Sequence, residues 1–239
     1  MKRKQQAVLA INPGSTTTKL ALYVDREQVA SVCHEHTVEQ LSVFKTVIDQ
    51  FMFRRDLVIA FLDDKGVQPG TMDIAMGRGG LLHPLPGGVY RVGPAMLRDL
   101  QHGRYGEHAC NLGALLADAV AKRYGCDALI ADPVVVDEMI DEARISGIPE
   151  IPRKSIFHAL NQKFVARKAA NQLGLSYDRA RLIVAHLGGG ISVGSHRDGR
   201  VIDVNNALDG EGPLTPERSG GVPAGDLVRL VLSGGFTHQ

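Results

Sequence analysis

The chain has 239 residues, of which 44% are hydrophobic and 22% are charged, and its formal net charge is +1. This length allows one large domain or two smaller ones, and the nearly balanced charge gives no support to a nucleic-acid or anionic-membrane partner. No apolar run approaches the roughly 20 residues that span a bilayer. The three cysteines lack metal-ligand spacing and the basic start lacks a signal-type apolar run, so a cytoplasmic protein is expected.

Three short apolar stretches at the start of the chain predict three strands joined by turns. They are residues 7–11, 20–24 and 29–36. The first turn runs from Asn12 to Lys19 and is rich in hydroxyl groups. Asn12, Ser15 and Thr16 could hold a phosphate or a hydrated metal there, together with backbone N–H groups. The same segment could equally be an ordinary polar turn.

The middle of the chain alternates predicted helices and strands, which is typical of the α/β class. Helices are expected over 38–62, 94–101, 107–124 and 156–173, and strands over 72–76 and 128–131. Residues 81–93 are rich in proline and glycine and predict a loop on the substrate side.

Polar residues follow two of these strands, where α/β proteins place ligand-binding groups. Arg78 lies between glycines and could clamp a carboxylate or phosphate with its guanidinium, or could be a solvated loop arginine. Asp132 precedes a proline and could bind a metal, or could cap the next turn. His158 opens the helix predicted over 156–173 and could face a ligand, although a lone histidine is more often structural.

Residues 182–204 repeat the strand–loop–strand–turn–strand order of the N-terminus. The loop after the first strand begins at His186 and contains three consecutive glycines, Gly188, Gly189 and Gly190. Glycines lack the Cβ atoms that keep a ligand away from backbone N–H groups, so this loop suits a phosphate. The alternative is a plain hairpin turn.

The repeated unit predicts two domains related by duplication, each offering a loop to a shared cleft. We place these domains at residues 1–175 and 176–239. Arg218 lies in a long polar loop of the second domain. Like Arg78, it could clamp a carboxylate or phosphate, or could be a solvated loop arginine. A last helix is predicted over 224–232. The expected fold class is therefore α/β with mixed sheets and an incomplete second domain.

A set of short motifs resembles the butyrate kinases, which belong to the acetate and propionate kinase group of the sugar kinase, Hsp70 and actin superfamily. The motifs are Ile11–Lys19, Gly77–Gly80, Asp132–Asp137, Arg153–His158, Ala185–Ser192, Asn205–Pro213 and Arg218–Gly221. The resemblance implies two actin-like (ribonuclease H-like) domains that close on ATP and Mg²⁺. It also implies reversible, in-line transfer of a phosphoryl group to butyrate or a similar short-chain carboxylate.

The resemblance also implies a role for each matching residue. The residues of the two phosphate loops would bind ATP: Asn12, Ser15, Thr16, His186, Gly188, Gly189 and Gly190. Arg78 and Arg218 would hold the carboxylate and the charge on the moving phosphoryl group, which His158 would stabilise. Asp132 would help to place Mg²⁺, and Asn12 would lie near the metal.

The chemistry agrees with these roles. A carboxylate with a solution pKa near 4–5 is already an anion at neutral pH, so the reaction needs positioning and charge compensation rather than a general base. The resemblance further implies a C-terminal part beyond these 239 residues, with an adenosine-binding loop, a metal-binding glutamate and a closing helix. It implies homo-oligomers in the full-length family. The rival expectation is a truncated, non-catalytic remnant that binds phosphate or a partner chain.

Overall fold

The computed structural model describes residues 5–234, which fold into two compact units. One unit extends to Val135 and the other begins at Val136. Within residues 5–234, no helix combines the length and the apolar character that a membrane-spanning segment needs.

The first unit is built on a mixed six-stranded sheet. Its strands are β1 (Ala7–Pro13), β2 (Thr17–Val24), β3 (Glu27–Glu35), β4 (Ile74–Arg78), β5 (Val89–Arg91) and β6 (Asp127–Ala131). Their order across the sheet is β3-β2-β1-β4-β6-β5. The pairs β1–β4 and β4–β6 are parallel, and the other neighbours are antiparallel.

Four α-helices accompany this sheet: α1 (Val38–Ser42), α2 (Phe51–Asp64), α3 (Pro94–Gln101) and α4 (Leu112–Tyr124). Local sequence sets their ends. Thr37 and Gln40 form a reciprocal capping box at the start of α1, and Gly125 ends α4 in the left-handed conformation with φ 73°. The core lies between the sheet and helices α2 and α4. Its fully buried side chains include Leu9, Leu20, Val58, Leu62, Leu112 and Leu116.

A crossing of two glycines brings α4 against β4. A Cβ atom on Gly113 would lie 2.1 Å from the carbonyl oxygen of Arg78, and one on Gly77 would lie 2.1 Å from the carbonyl oxygen of Gly113. Backbone atoms cannot move aside as a flexible side chain can. The glycines therefore allow the helix to pack close to the strand that carries Arg78.

We expect Gly113→Ala to lower the free energy of unfolding by about 3 kcal/mol, because the added methyl group forces α4 away from β4. Urea denaturation followed by circular dichroism measures this loss. Gly147→Ala is the matched control, since a Cβ atom there meets nothing within 4 Å. Equal stability of the two variants would show that the crossing tolerates a methyl group.

The second unit contains an antiparallel three-stranded sheet of β7 (Arg181–Leu187), β8 (Ile191–Arg197) and β9 (Arg200–Val204). Its α-helices are α5 (Ala159–Gln172) and α6 (Ala224–Leu232), and α5 packs against β7. A small core joins this sheet to the segment before α5. It includes Val136, Met139, Phe157, Val201 and Val204.

Most predicted elements are present, with differences in detail. The strand predicted over 72–76 is β4 (Ile74–Arg78), so Arg78 ends this strand and does not follow it. The hydroxyl-rich turn is shorter than predicted, because Thr17 to Lys19 already pair with β3 as part of β2. The loop predicted over 81–93 contains strand β5, which pairs with β6 at the sheet edge. The helix predicted over 38–62 is divided into α1, a 3₁₀ turn at Ile48–Gln50, and α2.

The division into compact units differs from the predicted domains at 1–175 and 176–239. Residues 136–175 belong to the second compact unit, because α5 lies against β7 and the segment before it packs on Val201 and Val204. A contact-based unit and a duplicated domain are different divisions of a chain. The predicted duplication therefore stays a prediction.

Candidate functional site

Three of the predicted site residues share one edge of the first unit's sheet. Strands β1, β4 and β6 run parallel, so their carboxyl ends meet at the same edge. Ile11 pairs with Gly77, and Arg78 pairs with Ala131. The polar residues at this edge are Asn12, Arg78 and Asp132.

Asn12 and Arg78 are in contact at that edge. Nη1 of Arg78 donates to Oδ1 of Asn12 at 3.4 Å, a long hydrogen bond between an exposed amide and a half-buried guanidinium. Ser15 and Thr16 are exposed in the loop between β1 and β2, which is closed by a 2.8 Å bond from the Gly14 N–H to the Thr17 carbonyl. This part of the molecule offers hydroxyls, one amide and one fixed positive charge.

Asp132 has a structural task in addition to its predicted one. It is 6% exposed, and its backbone has φ 35°, which is uncommon outside glycine. Its Oδ1 accepts from the Gly88 N–H at 2.8 Å, and its own N–H donates to the Gly88 carbonyl at 2.8 Å. The carboxylate thus holds the loop before β5.

The residues at this edge suit Mg²⁺ bound together with a nucleotide. Within residues 5–234, no group of three or more His, Cys, Asp or Glu side chains could hold a metal by itself. Mg²⁺ usually takes only one or two carboxylates and completes its shell with waters and phosphate oxygens. Asp132 and the Asn12 amide oxygen are therefore compatible with such a metal.

Arg54 supports the loop between β1 and β2 from inside the unit. It is 0% exposed, and its guanidinium donates to the Thr17 carbonyl (2.8 Å), to Oγ1 of Thr18 (3.0 Å) and to the Ser15 carbonyl (3.4 Å). Burial lowers the pKa of Arg54 to about 10. Sequence reasoning missed this residue, because an arginine in a helix of uncertain register reads as a surface residue.

We expect Arg54→Met to lower the free energy of unfolding by about 1–3 kcal/mol, because it leaves buried oxygen acceptors without a donor. Arg55→Met is the matched control. Arg55 pairs with the exposed carboxylate of Asp56, and its loss should change stability by less than about 0.5 kcal/mol. Thermal unfolding of both variants tests the prediction, and equal midpoints would contradict it.

The second unit brings two of the predicted histidines together. The rings of His158 and His186 stack with centroids 3.7 Å apart and planes 5° apart. Nδ1 of His158 lies 2.9 Å from Oγ of Ser192, and Nδ1 of His186 lies 2.9 Å from Nδ2 of Asn161. The stack therefore places two imidazole rings, each with a polar neighbour, beside the loop that follows β7.

The three glycines after β7 are needed for space rather than for an unusual backbone. None of them has a positive φ. A Cβ atom on Gly190 would lie 2.4 Å from Nη1 of Arg218 and 3.3 Å from Cε1 of His158, and one on Gly188 would lie 3.2 Å from Nε2 of His186. The loop backbone is therefore in close contact with both histidines and with the arginine.

Arg218 is held by a tight turn in the loop after β9. Oγ1 of Thr215 accepts from the Arg218 N–H at 3.0 Å, and the Thr215 N–H donates to the Arg218 carbonyl at 3.0 Å. The Arg218 side chain is 24% exposed, and its Nη1 lies 3.7 Å from the more exposed carboxylate of Glu217. The guanidinium is fixed against Gly190 and still reaches solvent.

The structure therefore groups the predicted site residues in two sets. The first unit carries Asn12, Ser15, Thr16, Arg78 and Asp132. The second unit carries His158, His186, Gly188, Gly189, Gly190 and Arg218. In the second set, two imidazole rings, a guanidinium and a glycine loop without Cβ atoms lie in contact, which is a combination suited to phosphate oxygens.

Comparisons with known proteins agree with this chemistry. Residues 149–231 match the model of the acetokinase family. Butyrate kinase 2 of Clostridium acetobutylicum is 53% identical over 232 residues, which are 97% of this chain and 65% of the relative. A probable butyrate kinase of Phocaeicola vulgatus is 53% identical over 230 residues, 96% of this chain and 64% of the relative. The chain thus spans slightly less than two thirds of the length of these relatives.

A solved structure has a similar fold. The crystal structure of Porphyromonas gingivalis acetate kinase superposes with a TM-score of 0.67 at 18% identity, covering 97% of this chain and 65% of that one. This likeness confirms the predicted α/β, actin-like fold class.

Proposed function

We propose that the chain is a butyrate kinase-like member of the acetokinase family and that it transfers a phosphoryl group reversibly between ATP and butyrate or a similar short-chain carboxylate. The product is an acyl phosphate. A cytoplasmic site of action and assembly into homo-oligomers are part of this proposal.

The observation that carries the proposal is the cluster of His158, His186 and Arg218 around the glycine loop of the second unit. Phosphoryl transfer concentrates negative charge on the equatorial oxygens of the moving group, and catalysis consists mainly of positioning and charge compensation. The guanidinium supplies a positive charge, the imidazoles supply N–H donors, and the loop supplies backbone N–H groups. The acceptor carboxylate attacks as an anion, so the cluster needs no general base.

The first unit would supply the remaining groups. Arg78 would pair with a carboxylate or phosphate, and Ser15 and Thr16 would donate hydroxyl protons to phosphate oxygens. Asn12 and Asp132 would hold Mg²⁺, which when bound with ATP offsets phosphate charge. The hydrogen bond from Arg78 to Asn12 keeps the guanidinium oriented.

A hydroxamate assay with butyrate, ATP and Mg²⁺ tests the proposal, because hydroxylamine traps the acyl phosphate. Activity of the purified 239-residue chain would support the proposal and exclude the non-catalytic remnant. Absence of activity from a folded chain that still binds ATP would favour the remnant. Acetate and propionate, tested in parallel, define the acyl chain preference.

The oligomeric state needs its own measurement. The sheet of the second unit exposes apolar side chains on β7, with Ile183 80% and Leu187 74% exposed. Such a surface favours association, and light scattering after size exclusion would detect it.

A further inference from the structure

A continuous chain of hydrogen bonds runs behind His158 into the interior of the second unit. His158 Nδ1 lies 2.9 Å from Oγ of Ser192, which accepts from Nε2 of Gln162 at 2.8 Å. Oε1 of Gln162 lies 3.0 Å from Nε2 of His196, whose Nδ1 lies 2.8 Å from the hydroxyl of Tyr177. Gln162 and Ser192 are 0% exposed, and His196 is 1% exposed. The proposed phosphotransfer chemistry assigns no task to the four residues behind His158.

The backbone carbonyl of Ser192 determines which groups donate and which accept along these hydrogen bonds. Nε2 of Gln162 lies 3.0 Å from that carbonyl oxygen, which can only accept. A reversed amide would place two acceptors against each other. The amide nitrogen of Gln162 therefore faces Ser192, and its oxygen faces His196. Consequently Nε2 of His196 carries a proton.

The other end of the hydrogen-bond chain, at His196 and Tyr177, is consistent with this direction. Burial lowers the pKa of His196 to about 4, with Lys163 as a further cause, so the ring is neutral near pH 7. A neutral ring that is protonated on Nε2 has an acceptor at Nδ1, which takes the hydroxyl proton of Tyr177.

The hydrogen bonds of Ser192 determine which ring nitrogen of His158 carries the proton. Among the described residues, Oγ of Ser192 faces two other partners, Nε2 of Gln162 and the backbone N–H of His158 at 3.4 Å, and both of them donate. Nδ1 of His158 is the remaining group that can accept the Ser192 proton. A buried hydroxyl without an acceptor is costly, so Ser192 donates to Nδ1. Neutral His158 is then protonated on Nε2, at the opposite position of the ring.

We propose that Gln162 and Ser192 are positioning residues that fix His158 as the neutral tautomer protonated on Nε2. This inference rests on the proposed function in one respect, namely that the fixed Nε2–H is the donor offered to phosphoryl oxygens beside Gly190. In that role the ring enters the reaction with its donor already oriented, which avoids reorganisation during transfer.

The nitrogen-15 spectrum of the histidine side chains tests the proposal without relying on activity. The whole chain, labelled at histidine, is measured at pH 8, above the ordinary histidine pKa of about 6.5. A His158→Gln spectrum identifies the His158 signals. We expect Nδ1 of His158 in the unprotonated range and Nε2 in the protonated range. The opposite assignment in the unsubstituted chain would overturn the proposal.

Two variants test the two positioning residues separately. Gln162→Glu supplies only acceptors, so it should take the Ser192 proton and shift His158 to the tautomer protonated on Nδ1. Ser192→Ala removes the donor altogether and should leave the ring in exchange between both tautomers. Tyr177→Phe is the matched control, because it alters the far end and should leave His158 unchanged. An unchanged His158 spectrum in both test variants would overturn the proposal.

Kinetics then separate this inference from the proposed function. We expect Ser192→Ala to lower kcat about 10- to 100-fold, with little change in KM for butyrate, by analogy with partners that orient a metal-bound imidazole. If the protein is inactive but His158 has the expected tautomer, the proposed function is wrong and the tautomer assignment stands. If the protein is active but His158 is protonated on Nδ1, the tautomer assignment is wrong and the proposed function stands.

Discussion

Lys163→Met is expected to lower the free energy of unfolding by about 3–5 kcal/mol, because it breaks a buried ion pair by removing one of its partners. Nζ of Lys163 lies 2.6 and 2.8 Å from the two carboxylate oxygens of Glu138, and the side chains are 3% and 8% exposed. Oε2 of Glu138 also accepts from the Val201 N–H at 2.8 Å. The pair thus joins α5, β9 and the segment around Glu138 that precedes α5, and its loss affects all three.

Denaturant unfolding of Lys163→Met measures this effect, and Lys168→Met on the exposed side of the same helix is the control. The control should change stability by less than about 0.5 kcal/mol. The double variant Glu138→Met, Lys163→Met should recover part of the loss, because it removes the buried carboxylate as well as the lysine. If Lys163→Met were as stable as Lys168→Met, the pair would contribute nothing to the fold.

The order of elements was largely predictable because it depends on local patterns. Apolar stretches between turn residues identified β1, β6 and the three strands of the second unit, and Gly125 identified the end of α4. Strand β5 was not predictable, because its three residues are extended only through pairing with β6. The burial of Thr18 depends in the same way on a distant residue, since its hydroxyl meets Arg54.

The candidate site was predictable where a residue follows a strand end or lies in a glycine loop. Asn12, Arg78 and His186 were predicted in this way, and the structure places each of them within the last two residues of its strand. The residues that support the site were not predictable, because Gln162 and Ser192 are ordinary polar residues whose importance comes from burial. Burial of a polar side chain is a tertiary property, which helical periodicity alone does not indicate.

Arg218→Ala is expected to reduce phosphoryl transfer about 100- to 1,000-fold, the usual cost of removing one preorganised charge-stabilising group. The turn that carries Arg218 is held by backbone groups and the Thr215 hydroxyl, none of which the substitution removes. The free energy of unfolding should therefore change by less than about 0.5 kcal/mol. The hydroxamate assay and a thermal unfolding curve of the same preparation measure both quantities.

Gly190→Ala provides an independent test of the same contact, because it retains Arg218 and displaces its guanidinium. The added Cβ atom would lie 2.4 Å from Nη1 of Arg218, so the guanidinium must move and transfer should fall. Arg197→Ala, at an exposed position of β8, is the control and should keep full activity. The assigned role of Arg218 fails if its alanine variant loses the thermal transition, or if it turns over as fast as the control. Because the guanidinium touches the loop backbone, a loss of transfer in both Arg218→Ala and Gly190→Ala would place the moving charge beside that loop.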